Sequence, residues 1–295
     1  MSDKEYPGNF VAVLMANFDS ANNTLLSFLA EPPFSVLQVI AFFLAWAGCW
    51  LPVAIVCANA LDWRPPKPLT AEQKLPLLAS LYLVAPLVLW GTNWVIGASF
   101  LDYGLPQNPW ILSSLGLGFA LGVLILGVLF GIQTALGWVT WQLADGQQLT
   151  SVLLLTFLLA LWISGTEELV FRGFLLTQLQ HDYPSGAAAA ISSLIFALLH
   201  LVWERRETIP QLPGLWLMGM VLVLARSVDG GSLGLAWGLH TGWVWAIASL
   251  DSAQLITYTG MGSEWVTGKN GKPLAGAVGI FCLLVTGGIL WLFSA

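Results

Sequence analysis

The stretch ISGTEELVFRG, residues 163–173, places two adjacent carboxylates, Glu167 and Glu168, and the guanidinium of Arg172 at the end of an apolar run, Leu149–Gly165, that carries no charge. Two imidazoles share such surroundings: His200 closes ISSLIFALLH, and His240 lies inside LGLAWGLHTGWVW. The other fourteen of the 16 acidic residues fall in tails or loops, as does His181, which lies close to Asp182 and Pro184. An ionised side chain at membrane depth costs about 2.5–3.5 kcal/mol on insertion scales. Groups placed there persist when they are paired or when they do work, so these five residues form one candidate site.

Helical spacing divides their roles. Glu168 and Arg172 are four residues apart, share a face and suit an ion pair. Glu167 points about 100° away from Glu168, free to face a cavity. A carboxylate shielded from water is suited to take a proton from an attacking water near neutral pH. His200 and His240 could position that water, share its proton or stabilise an oxyanion. Each feature alone has a plainer reading: a structural ion pair, or a histidine bonded to a backbone carbonyl. Together they are nearly all the ionisable groups expected at depth, which favours chemistry.

The elements that must hold these residues are membrane helices. The chain of 295 residues is 57% hydrophobic and only 9% charged, against about 25% charged in a soluble domain. Its apolar runs do not alternate as barrel strands do, and they reach the roughly 20 residues needed to span. The expected fold is therefore all-α and polytopic, with about eight spans around a polar intramembrane cavity. They are expected near Phe34–Leu61, Leu75–Leu101, Trp110–Ala144, Leu149–Leu179, Gly186–Trp203, Leu212–Ala225, Ser232–Leu250 and Pro273–Phe293. The third is too long for one perpendicular span and calls for a strong tilt or an interfacial helix near Gln133–Ala144.

One membrane domain over residues 34–295 is expected, with no separate soluble domain. Residues 1–33 show no signal-peptide pattern; Phe10–Met15 and Leu25–Leu29 are apolar enough for a segment lying on the membrane surface. Gly118, Gly122, Gly127 and Gly131 suggest close helix contacts. Cys49, Cys57 and Cys282 read as small core hydrophobes. The loops with Arg64, Lys67 and Lys74, with Arg205 and Arg206, and with Lys269 and Lys272 lie on one side of an eight-span arrangement. Positive-inside bias then puts both termini outside the cytoplasm. A net charge of −6, thinly spread, leaves no basic face for nucleic acid. The expected partners are membrane lipid and a peptide or membrane-protein substrate, in a prokaryotic or organellar membrane.

Three motifs then come together. Glu167-Glu168-Leu-Val-Phe-Arg172 fits EExxxR, Phe196-Ala-Leu-Leu-His200 fits FxxxH, and His240 in GLHTGW fits the start of Hxxx(N/D). In this order on successive apolar helices, over about 149–250, they resemble the CAAX-protease and bacteriocin-processing family of intramembrane endopeptidases, which includes the type II CAAX prenyl endopeptidases. The resemblance implies that Glu167 activates the attacking water with help from His200. It implies that Glu168 and Arg172 brace the site and that His240 helps form an oxyanion hole. No cofactor is expected; a zinc site of Glu and His ligands stays open, although no HExxH helix is present.

The sequence departs from the family at Val244, where the family usually has Asn or Asp. Valine cannot donate to an oxyanion, and one lost donor can cost about 10²–10³ in rate. Either the indole of Trp243 or Trp245 takes over, or the enzyme is slow, or it no longer cuts. The functional expectation is thus an intramembrane endopeptidase. The alternative is a weak or inactive relative that acts as an assembly, binding or immunity factor. A proton-coupled transporter would call for paired broken helices or inverted repeats, and the sequence has no evident repeat.

Overall fold

The computed structural model describes residues 34–64, 67, 69–142 and 146–293. The segment expected to lie on the membrane surface, residues 1–33, falls outside them. The elements in order are α1 (Phe34–Ala60), α2 (Ala71–Ile96), α3 (Trp110–Ala135), β1 (Val139–Trp141) and α4 (Gly146–Glu167). A π-helical segment, Glu168–Leu175, joins α4 without a break to α5 (Leu176–Asp182). Then come α6 (Ser185–Leu199), α7 (Leu201–Thr208), α8 (Leu212–Val228), α9 (Gly234–Ser252), β2 (Ile256–Tyr258), α10 (Glu264–Thr267) and α11 (Ala277–Leu292).

Among the described residues, six helical stretches are long and apolar enough to cross a membrane: Phe34–Ala60, Glu72–Ile96, Trp110–Ala135, Gly146–Asp182, Ser185–Trp203 and Arg205–Val228. The chain is an integral, multi-pass, helical membrane protein. The seventh and eighth expected spans correspond to α9 and α11. α9 is diluted by glycine, His240 and Thr241, and α11 has only 16 residues, so neither meets the same measure.

The third expected span is corrected. α3 stops at Ala135, and Gly137 turns the chain at φ 72°. Residues 139–141 then form a strand, where an extension of the helix or an interfacial helix was expected. Val139, Thr140 and Trp141 pair antiparallel with Tyr258, Thr257 and Ile256. The Val-Thr-Trp triplet has the β-branched and aromatic character that suits a strand. Its partner lies far along the chain, in the loop after α9.

Local chemistry sets the ends of α2. Thr70 and Gln73 form a reciprocal capping box at the start of α2, satisfying two otherwise orphaned donors. Gly97 closes the helix in the left-handed region. The indole of Trp46 on α1 donates to the Leu81 carbonyl at 3.0 Å, and that of Trp50 donates to Ser80 Oγ at 3.1 Å, so two tryptophans fasten α2 to α1.

The closest packing joins α3 and α9. A Cβ at Gly238 would overlap the Leu115 carbonyl; at Gly242 it would lie 2.6 Å from the Phe119 carbonyl, and at Gly122 2.7 Å from the Leu239 carbonyl. Glycine at four-residue spacing on both helices lets the backbones touch. Gly118 and Gly122 serve this contact, whereas Gly127 and Gly131 face open space. α9 is held from its other side by α4. Trp237 donates to the Leu161 carbonyl at 2.8 Å, Trp245 to the Leu153 carbonyl at 2.9 Å, and Ser249 and Thr156 share a hydrogen bond of 2.8 Å. His240 is thereby carried on a helix clamped along two faces.

Candidate active site

The EExxxR motif straddles the change from α-helix to π-helix. Glu167 is the last α-helical residue of α4, and Glu168 to Arg172 lie in the wider turn. A π-segment disrupts the regular ladder of backbone bonds and recurs at functional sites. Here, neighbouring helices supply donors to its carbonyls. Ser192 Oγ of α6 donates to the Phe171 carbonyl at 2.9 Å. Arg226 Nη1 of α8 donates to the Arg172 carbonyl, Nε donates to the Gly231 carbonyl at 3.0 Å, and both terminal nitrogens reach Thr177 Oγ1 at 3.2 Å. The planar fork of an arginine suits this task better than a lysine's point charge.

Around this turn the charged groups are buried: Glu168 and Arg172 are 0% exposed, His240 2% and Glu167 6%. Arg172 Nη1 donates to Glu168 Oε1 at 3.0 Å, and its guanidinium carbon lies 4.2 Å from the centre of the Phe196 ring. A cation over an aromatic face gains further stabilisation when water is excluded. Glu168 Oε1 also accepts from His240 Nδ1 at 2.7 Å. The other nitrogen of that ring, Nε2, lies 3.6 Å from Glu167 Oε2. His240 therefore bridges the two glutamates, and Glu168 fixes its tautomer as a second carboxylate fixes a working imidazole.

Glu167 Oε1 is taken by a residue that the spacing of the motifs did not single out: the hydroxyl of Tyr82, on α2, donates to it. Four donors or acceptors in this cluster, Glu168 Oε2, Arg172 Nε, Arg172 Nη2 and the nearby Ser164 Oγ, have no hydrogen-bond partner among the described residues. Ser164 lies one helical turn before Glu167 and Glu168.

His200 caps the end of α6, half-buried, where the helix breaks before α7. Its Nδ1 lies 2.8 Å from the Phe196 carbonyl. A carbonyl only accepts, so Nδ1 carries the proton and Nε2 is the nitrogen left for other work. The Phe196 ring links the two histidines, with centres 4.6 Å from His200 and 6.1 Å from His240. Both histidines line one cavity of about 370 Å³, together with Trp243, Val244, Leu129, Met218 and Ile247. Gln211, Asp251 and Lys272 belong to the same lining. Glu167 does not; it meets the cavity through His240. Of the two tryptophans that could stand in for an oxyanion donor, Trp243 borders the cavity, while the Trp245 indole N–H is committed to Leu153.

Two contributors escaped the sequence reading. Tyr82 sits in an apolar run where a tyrosine reads as packing; the one signal is Pro86 four residues on, which withdraws the helical donor from the Tyr82 carbonyl. Arg226 falls just past the expected span Leu212–Ala225, yet it lies in the last turn of α8 and clamps the π-segment. As for zinc, the side chains do not fit it. Among the described residues no group of three or more His, Cys, Asp or Glu side chains is disposed to hold a metal ion, and His240 already faces a carboxylate with each nitrogen.

Residues 146–246 match the family model described as type II CAAX prenyl endopeptidase, Rce1-like. The match spans EExxxR, FxxxH and the His240 motif, and the family resemblance holds over that third of the chain. No curated protein and no solved structure gives a significant match.

Proposed function

We propose that this chain is an intramembrane endopeptidase that hydrolyses a peptide bond near the bilayer surface with a water activated by Glu167. Glu167 Oε2 takes a proton from the water, the resulting hydroxide adds to the peptide carbonyl carbon, and the C–N bond breaks as the amine leaves with a proton. No covalent intermediate forms. His240, held by Glu168, stands beside the base and relays the proton; His200 Nε2 faces the substrate from the far side of Phe196. Glu168 and Arg172 neutralise each other beneath the site. The reading rests on one observation: the imidazole of His240 joins both glutamates on one side and borders an apolar cavity on the other. An apolar chamber with a few convergent polar groups is the usual form of a binding site.

The direct test incubates the purified, membrane-reconstituted protein with a library of membrane peptides. The parent is expected to cleave, and Glu167→Gln and His200→Ala are expected to lose that cleavage. Cleavage that survives Glu167→Gln sinks the mechanism. Val244 favours a second reading. It brings an aliphatic side chain to the cavity wall where the related family usually carries a donor, so a chain that binds membrane proteins without cutting them fits there too. A parent that cleaves nothing, yet retains an intact membrane protein on purification, supports that reading.

A further inference from the structure

The Tyr82 contact lies outside the matched segment, and no motif covers it. Tyr82 donates its hydroxyl to Glu167 Oε1. The opposite oxygen, Oε2, is the one near His240 Nε2. The two oxygens of one carboxylate are thus separated by function: one is occupied by a donor, and the other is turned towards the imidazole. A free carboxylate rotates about its terminal torsion, which is broad and two-fold. A donor fixed on one oxygen removes that freedom.

Tyr82 is itself fixed. The carbonyl of the preceding residue, Leu81, accepts from Trp46. Leu77, Ala85 and Leu89 bury the inner face of the same helix. Pro86, inside the same helix, lacks the N–H that would have bonded the Tyr82 carbonyl.

We infer that Tyr82 is a positioning residue for Glu167, holding Oε1 so that Oε2 alone faces His240 and the attacking water. The inference rests on the proposed peptidase reading, and it brings α2 into the working site. Misplacing a reacting group by about 1 Å can cost on the order of 10²-fold in rate. Removing the hydroxyl therefore acts on turnover and leaves substrate binding in the cavity alone.

The test compares Tyr82→Phe with the parent and with Ser80→Ala, which loosens the hold of Trp50 on the same helix without touching Glu167. Two readouts are taken. The first is the carboxylate stretching band of Glu167 in the infrared spectrum, assigned by its loss in Glu167→Gln. The second is kcat and KM on a peptide that the parent cleaves. Tyr82→Phe is expected to shift the band and to lower kcat about 10–100-fold with KM unchanged, while Ser80→Ala leaves both near the parent. An unshifted band overturns the bond. A shifted band with an unchanged kcat overturns the positioning role, as does an equal loss of kcat in Ser80→Ala. A parent without peptidase activity overturns the proposed function and, with it, any part for Tyr82 in turnover; the infrared shift still decides the Tyr82–Glu167 bond.

Discussion

His240 Nδ1 donates to Glu168 Oε1 at 2.7 Å, on the same oxygen that takes Arg172 Nη1 at 3.0 Å. Glu168 is therefore more than the counter-ion of an arginine: it couples a fully buried cation to the ring that faces Glu167. Glu168→Gln should leave the Arg172 guanidinium buried without a compensating charge, a change that costs about 3–5 kcal/mol. A large fall in the thermal midpoint of the detergent-solubilised protein is expected. An unchanged midpoint would show that the pair carries little of the fold.

The α3–α9 contact predicts a sharp contrast between glycines. Gly238→Ala drives a methyl into the Leu115 carbonyl and should cost about 1–3 kcal/mol by overpacking, displacing the helix that carries His240. Gly127→Ala, on α3 but with open space around it, should be neutral or slightly stabilising. Thermal melts of the two variants, side by side, check this; equal effects would argue against the close approach.

Arg226 should not be replaceable by lysine. Its guanidinium bonds the Arg172 carbonyl, the Gly231 carbonyl and Thr177 together, a fork that a single ammonium cannot reproduce. Arg226→Lys is expected to lose activity despite keeping its charge, with altered protection of the 168–175 amides in hydrogen exchange. Full activity with unaltered exchange counts against the clamp.

Val244 borders the cavity beside Trp243. If that wall meets the oxyanion, Val244→Asn supplies a donor and should raise kcat, by up to the roughly 10²-fold that one such donor is worth. A rate that stays at the parent level would place the oxyanion elsewhere.

The metal question has its own measurement. Elemental analysis of the purified protein is expected to show no stoichiometric zinc, and a chelator should leave cleavage unchanged. One zinc per chain that disappears in His200→Ala would reverse this expectation.

The membrane class and most helix positions were legible because apolar length is a strong signal: α1, α6 and α9 start and end within a few residues of their expected bounds. The five ionisable residues were legible because charge is so scarce in these helices. What stayed hidden depended on contacts between distant parts of the chain. β1 forms with a partner more than a hundred residues away, so the run from Trp110 to Ala144 read as helix throughout, either one tilted span or a span followed by an interfacial helix. Tyr82 looked like any aromatic in an apolar span. The π-segment has no composition of its own; its carbonyls are claimed by Ser192 and Arg226, which no local window contains. His240 was expected at an oxyanion hole, and its bridge between two carboxylates became visible only in three dimensions. The backbone bond of His200, by contrast, is the plain arrangement open to any buried histidine.

The position of Tyr82 also bears on how portable this machinery is. The segment that resembles known peptidases contains both glutamates and both histidines, yet the hydroxyl on Glu167 comes from a helix that precedes it. A chimaera that exchanges residues 146–246 between two such proteins would therefore transplant the motifs and leave one of their anchors behind, and the recipient's second helix would decide how well the graft works.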